Sequence, residues 1–360
     1  MKNFLSHPLI VRHPDNLTVN WAQQLVNQHD KNIIVKKVKI SSIDIGTTTR
    51  IRIKVVHSSP ATLPSYWFIK IPSLSWRARA ITALPRLLHT ETRFYNELAG
   101  STPVTKPTAL FANSKLFKGS TLVLNDITEQ GGIPGHASDT LTVEQAQLII
   151  EQLAGLHAQF WGETDNNPKY NWLSGPVRQL EDLLGSALAV PLMKRGLNKA
   201  GDIVKPTLHQ PAIQYARQRR KTMRFLAQGT QTIVHHDCHP GNLFWQNKKP
   251  GLLDWQMVRT GEGISDIAYF LATSLDSHTR KANEYQLIKH YIKELSKRGI
   301  THLNPKQIHQ RYRVHLIYPL EAMLVTLAVG DMMDLAANKT LIKRAASAVE
   351  DNNTFIELGF

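Results

Sequence analysis

The sequence predicts an α+β chain in two parts, a smaller β-rich first third and a larger, mainly helical remainder. Three observations carry this. Strands of period two crowd the first 126 residues, most plainly in Arg50-Ile51-Arg52-Ile53-Lys54-Val55, where cations alternate with aliphatic side chains. Helical spacing dominates later, as in Ala146, Ile149, Ile150, Leu153, Leu156 and Phe160. Between these helices and the last ones, residues 232–254 read as a tight hairpin with polar ends. The division is expected at residues 1–125 and 126–360.

Taken in order, Asn16 to His29 reads as a helix, with Trp21, Leu25 and Val26 in a stripe and Thr18 as its cap. Asn32 to Ile40 reads as a strand, Ser41 to Thr49 as a polar turn, and Arg50 to His57 as the strand that returns. Tyr66 to Ile71 is an aromatic-rich strand carrying Lys70. Ser75-Trp76-Arg77-Ala78-Arg79 is a basic helix start or exposed loop, and a helix ends in Thr90 to Leu98. Thr121 to Asp126 is a further strand, and the Gly- and Pro-rich stretch from Glu129 to Ser138 is a loop. In the helix from Thr142 to Trp161, Thr142 and Gln145 make a capping box. Residues 166–228 read as helix and loop broken by glycine and proline. Lys281 to Arg298 and Gln307 to Asn338 read as closing helices.

Composition sets bounds. The 360 residues, 42% hydrophobic and 20% charged, are ordinary for a globular protein with a sizeable core. The single cysteine, Cys238, excludes an internal disulfide and fits a reducing compartment. The N-terminal stretch has no sustained apolar run, and Leu316 to Val329 is too short to span a bilayer, so a soluble, cytoplasmic protein without signal peptide is expected. The formal charge of +15 is uneven: residues 1–126 carry 17 Lys+Arg against 6 Asp+Glu, and residues 127–360 carry 26 against 22. A basic first third can attract nucleic acid or an anionic membrane. Here the cations are scattered and no nucleic-acid motif accompanies them, so a solvated surface is the expectation and no nucleic-acid partner is assigned.

The chemistry concentrates in residues 232–270. The run Thr232-Ile233-Val234 leads into His235-x-Asp237-x-x-x-x-Asn242, and a short hairpin then ends on Asp254. Two carboxylates and one carboxamide at the ends of a hairpin are what phosphoryl transfer needs. One carboxylate meets the acceptor hydroxyl; an amide oxygen and a second carboxylate hold Mg²⁺ on nucleotide phosphates. A competing reading takes His235, His236, Cys238 and His239 as zinc ligands. A structural zinc site wants ligand pairs from separate segments, and there is no second Cys/His cluster.

The spacing resembles the aminoglycoside phosphotransferase and choline kinase superfamily, relatives of protein kinases. Asp254-Trp255-Gln256 and the run through Asp266, Ala268, Tyr269 and Phe270 are most similar to its ecdysteroid-kinase-like branch. The resemblance covers about residues 35 to 300, with ExxFY (Glu91 to Tyr95) and LAGLHAQFW (Leu153 to Trp161) also similar. It implies a bilobal protein-kinase-like fold that takes ATP and Mg²⁺ between its lobes. By it, Asp237 is the catalytic base, His235 shapes the loop, Asn242 and Asp254 hold the metal, and Asp266 supports the loop from below. Lys70 clamps phosphate and Glu91 orients it, with Glu97 the spare candidate. Gly46 covers the phosphates, and adenine meets the backbone of Leu124, Asn125 and Asp126. Asn125 stands where relatives carry glutamate, and His236 where they commonly carry glycine. His157 reads as a packed structural histidine.

The function implied is transfer of the γ-phosphate of ATP to a hydroxyl of a small molecule. Two readings of other classes stand beside it: a non-catalytic nucleotide-binding scaffold on the same fold, and a basic nucleic-acid-binding protein. Residues 166–228 carry 3 acids and 11 bases, so a pocket built from them repels polycations and suits a neutral or anionic acceptor, lipid-like or sterol-like as the branch implies. Acids of the tail, Asp331, Asp334, Glu350, Asp351 and Glu357, would reverse that sign if they folded over the pocket.

Overall fold

The computed structural model describes residues 9–75, 87–115, 119–164, 167–330 and 332–360. Trp76 to Arg79 and Asp331, both singled out above, lie outside them. The chain forms two compact units. The first is drawn from Met1–Ser101, Lys106–Ile133 and Asp254–Gln256, the second from Thr102–Thr105, Pro134–Leu253 and Met257–Phe360. The first unit thus runs past Asn125, and it includes Asp254 from late in the chain.

The first unit is built on one antiparallel sheet. Its strands are β1 (Val35–Ile45), β2 (Thr48–His57), β3 (Tyr66–Pro72), β4 (Ala109–Lys115) and β5 (Gly119–Asn125), in the order β1-β2-β3-β5-β4. Period two decides its faces: Ile51, Ile53 and Val55 of β2 are buried with Trp67, Ile69 and Ile71 of β3, while the alternating Arg50, Arg52 and Lys54 are not. Helix α1 (Val19–Val26), capped by Thr18 Oγ1 on the Trp21 amide, closes this core with Trp21, Leu25 and Val26. Helix α2 (Leu87–Glu97) carries Glu91. The turn expected at Ser41 to Thr49 is mostly strand. Ile43 and Ile45 continue the alternation, pairing with Ile51 and Thr49, and Asp44 meets Arg50 at 2.5 Å, which leaves Gly46-Thr47 as the connection.

The second unit is mainly helical. Its strands are short: β6 (Gln231–Val234) pairs with β9 (Arg259–Glu262), and β7 (Leu243–Gln246) pairs with β8 (Lys249–Leu252). The β7–β8 connection is the two residues Asn247-Lys248, both at positive φ (50° and 63°). That is the mirror-image turn that matches strand twist. The longer helices are α3 (Val143–Gln159), α4 (Pro176–Ala200), α5 (Pro206–Leu226), α6 (Ile264–Ser274), α7 (Ser277–Ser296), α8 (Pro305–His315), α9 (Ile317–Val329) and α10 (Leu335–Asp351). The Thr142–Gln145 capping box starts α3.

Two expectations are corrected here. The expected breaks fall at Gly175-Pro176 and between Gly201 and Pro206, but two further prolines do not break a helix: α4 runs through Pro191 and α5 through Pro211. A proline inside a helix costs about 3 kcal/mol, which tertiary packing offsets. Gly196 of α4 sits so close to α9 that a Cβ there would come 2.5 Å from the Leu324 carbonyl oxygen, and Tyr215 of α5 donates to Glu321 of α9 at 2.6 Å. Nor is 307–338 one helix, because α9 ends at Gly330, whose φ of 84° no β-carbon favours. Pro305–Val329 is long and apolar enough to cross a bilayer by length and composition, yet 67% of its apolar window is buried inside the protein, as in a core helix.

Candidate active site

The loop from His235 to Asn242 leaves β6 and is suspended on one carboxylate. Asp266, fully buried on α6, accepts the His235 amide at 2.7 Å on Oδ2 and the His236 amide at 2.8 Å on Oδ1. Its Oδ2 also meets His157 Nε2 at 3.2 Å, and His157 Nδ1 lies 3.0 Å from the Tyr291 hydroxyl. His157 therefore orients the carboxylate that orients the loop. The His235 ring holds the far end: Nε2 donates to the Leu253 carbonyl at 2.8 Å, and Nδ1 accepts the Asp237 amide at 3.3 Å. Leu253 in turn donates its amide to the Asn242 carbonyl.

This geometry fixes Asp237. Its Oδ1 accepts from the Tyr269 hydroxyl at 2.7 Å and its Oδ2 from Asn242 Nδ2 at 2.9 Å, and the side chain keeps 19% of its surface exposed. Asn242 spends both hydrogen bonds of its Nδ2 on Asp237, the second on the backbone carbonyl. Both of these donors are neutral and His239 Nε2 lies farther off, 3.9 Å from Oδ1, so the carboxylate is oriented and still open to a further proton donor. Tyr269 escaped the sequence reading as an Asp237 partner, although it lies in the Ala268-Tyr269-Phe270 run, three residues and so one helical turn beyond Asp266.

In the first unit, Lys70 on β3 and Glu91 on α2 are buried and paired, Nζ lying 2.8 Å from Oε1 and 2.9 Å from Oε2. Lys70 also meets Asp254 Oδ1 at 3.1 Å. Asp254 itself stands at a φ of 59°, and the residues that follow lock onto α2: Trp255 donates its amide to Glu91 Oε1 at 3.2 Å, and its ring stacks on Phe94 at 4.1 Å. Burial opposes charge on Lys70, but Asp254 and Glu91 together outweigh it and hold the ammonium charged. Burial pushes Glu91 up, to about 7, against the pull of Lys70, and the Asp254 charge adds to the rise. Glu97, the spare candidate, instead pairs with Arg93 one turn away on α2.

The remaining expected contacts differ in kind. Gly46 closes the β1–β2 connection, its carbonyl accepting from Ser73 Oγ at 2.7 Å. Leu124 is buried in the sheet. The amide of Asn125 is bonded to the Thr108 carbonyl and that of Asp126 to the Tyr66 carbonyl. Asp126 accepts the Thr128 amide and pairs with Arg52 at 3.2 Å. The amides of Asn125 and Asp126 are thus engaged within the first unit.

The crowded His/Cys run does not converge on a metal. His239 Nδ1 accepts the Gly241 amide, and His236 stacks on Tyr318 at 4.0 Å. Cys238 is fully buried, and burial pushes its thiol well up, which keeps it protonated and inert. His236 stands at a φ of 68°, a conformation natural to glycine, and it is held there by the Asp266 contact and the Tyr318 stack.

Comparison with known proteins follows the same lines. No curated protein matches the chain by sequence. Among solved structures, the choline kinase of Cryptosporidium parvum is similar with a TM-score of 0.58 at 10% identity, over 95% of this chain and 96% of that one. Plasmodium vivax ethanolamine kinase gives 0.51 at 12% identity, over 92% and 87%. The choline kinase LicA of Streptococcus pneumoniae gives 0.50 at 11%, over 92% and 99%. At such identities the likeness shows the fold, which is the kinase-like fold of these enzymes. Residues 46–304, well over half of the chain, match the ecdysteroid kinase-like family, and the chain belongs to that family.

Proposed function

We propose that the chain is a phosphotransferase that uses ATP and Mg²⁺ to phosphorylate a hydroxyl group of a small, neutral or anionic molecule. The observation that carries this is the Asp237 carboxylate, fixed on both oxygens by neutral donors and still partly open. In this reading Asp237 orients the acceptor hydroxyl and takes its proton.

The residues present suit the nucleotide and its metal. Lys70 faces two carboxylates with one charge, so a further cation at Asp254 balances the group. Asn242 commits its Nδ2 to Asp237, which leaves its Oδ1 as a hard oxygen donor. Asp254 and Asn242 are accordingly the proposed protein ligands of Mg²⁺. Bound Mg-ATP would supply the phosphoryl group and neutralise its charge. Lys70, set by Glu91, would pair with phosphate oxygens. His235, through Leu253 and Asp237, would keep the loop in shape. Catalysis on these terms is positioning and charge compensation.

The test is ADP release with Mg-ATP across kanamycin, choline, homoserine, sugars and sterol alcohols. Turnover with a hydroxylated acceptor is expected. A melting shift with Mg-ATP but no ADP from any alcohol would leave a nucleotide-binding scaffold and overturn the enzyme reading.

A further inference from the structure

The second unit contains a cavity of about 630 Å³, within the range of small-molecule sites. It reaches the catalytic loop at His236, the residue before Asp237, and at Tyr318, whose ring packs 5.6 Å from that of Tyr269. His236 Nδ1 is buried and, among the described residues, has no hydrogen-bond partner. Burial and the nearby Arg259 and Arg178 hold that ring well below the usual histidine range, hence neutral. One end of the cavity therefore offers an uncharged nitrogen, on the residue that precedes the proposed base.

The walls are of two kinds. Leu180 and Leu183 of α4 and Met223 and Leu226 of α5 line it with apolar surface, and both leucines are about half exposed, at 50% and 49%. Four arginines line it against two acids, Asp182 and Glu262. Both acids are already paired: Asp182 with Arg259 at 2.9 Å, and Glu262 with Arg311 and, at 3.3 Å, His315. Arg219 is paired with Glu321 at 2.5 Å. That leaves Arg220 and Arg224, one turn apart on α5, which have no acidic partner among the described residues.

The acids of the tail among the described residues do not reverse this sign. Asp334 caps α10, Glu350 pairs with Lys205, Asp351 with Arg280 and Lys281, and Glu357 with Arg313. None of these acids lines the cavity.

We infer that the acceptor is an alcohol with an apolar body and an anionic group, the body lying against Leu180, Leu183, Met223 and Leu226 and the anion held by Arg220 and Arg224. That the bound alcohol is phosphorylated rests on the phosphotransferase reading; its shape and charge rest on the cavity alone. The hydroxyl end lies toward His236. A guanidinium pair one helical turn apart suits a carboxylate, sulfate or phosphate oxygen set, and it disfavours the ammonium of choline or of an aminoglycoside.

The experiment uses matched pairs that differ only in charge: an ω-hydroxy fatty acid against the α,ω-diol of equal chain length, and a hydroxylated steroid carboxylate against its methyl ester. Binding to the full chain is measured by calorimetry without nucleotide, and ADP release is measured with Mg-ATP. In at least one pair the acid is expected to bind about tenfold more tightly than its neutral twin, with the advantage shrinking as salt is raised. Arg220→Gln with Arg224→Gln should erase the advantage while the neutral twin binds as before. Equal or better binding by the neutral twins, an advantage that survives the double substitution, or no binding by any of the four would overturn the inference. Charge-selective binding without ADP release would sink the phosphotransferase reading and leave this inference standing; ADP release that favours the neutral twins would do the reverse.

Discussion

Two carboxylate clusters divide the proposed chemistry, and they are built on opposite principles. In the first unit the buried Lys70 and Glu91 and the partly exposed Asp254 form an ionic group in which one cation is shared by two carboxylates. In the second unit the hydrogen bonds to Asp237 come from neutral donors, Tyr269 and Asn242, with His239 Nε2 farther off at 3.9 Å, and its supporting carboxylate, Asp266, is satisfied by backbone amides and His157. An ionic group with an excess anion attracts a further cation, as a metal site needs. A carboxylate held by neutral hydrogen bonds keeps its direction without being bound to a fixed cation, as a proton acceptor needs.

The comparison breaks most sharply at Asp237. Asp237→Asn keeps the size and the Tyr269 contact but removes the charge, so turnover should fall by about 10²–10⁴-fold while the melting shift given by Mg-ATP stays. A variant that keeps more than about a tenth of the wild-type rate would remove Asp237 from the role of base. In the other cluster the first loss should be stability. Glu91→Ala strips Lys70 of its closer partner and the Trp255 amide of its acceptor, and removal of one member of a buried pair costs about 3–5 kcal/mol. Urea unfolding measures it; a loss within about 0.5 kcal/mol, the range of ordinary surface substitutions, would mean that the pair is not held as described.

Asp254→Ala separates the two clusters by metal. It should abolish the part of the nucleotide-induced melting shift that depends on Mg²⁺, worth about 2.7 kcal/mol at a ligand concentration of a hundred times Kd. An unchanged Mg²⁺-dependent shift would take Asp254 out of the metal site.

How much of this was legible in the sequence depends on whether the signal is local. The strands around Ile51–Val55 and Trp67–Ile71 follow period two because one face is buried, and the start of α3 follows from Thr142 and Gln145. The spacing of His235, Asp237 and Asn242 was readable because the three contact one another within eight residues. What was not readable comes from distant parts of the chain. Pro191 and Pro211 sit inside helices because α9 packs on α4 and α5, which no local propensity reports. The amides of Asn125 and Asp126 are consumed by Thr108 and Tyr66, partners set by sheet register and loop path. The excess charge of residues 166–228 was countable, but which arginines remain unpaired follows only from their folded partners.

The smallest expected effect sharpens the comparison from the Asp237 side. Tyr269→Phe removes the hydroxyl that donates to Oδ1 at 2.7 Å and leaves the Asn242 contact intact. If neutral donors only orient the carboxylate, one of the two should be worth about 1.5 kcal/mol, the lower range for a hydrogen bond to a charged group, and kcat should fall about tenfold. Because Asp237 is partly exposed, water can replace the lost donor, so the cost in unfolding free energy should be less than the cost in rate. The Mg²⁺-dependent nucleotide shift should not move, since the Tyr269 hydroxyl donates to Asp237 and not to a proposed metal ligand. Parallel losses of kcat and of that shift would show that the two clusters are not independent, and the division of labour between them would have to be abandoned.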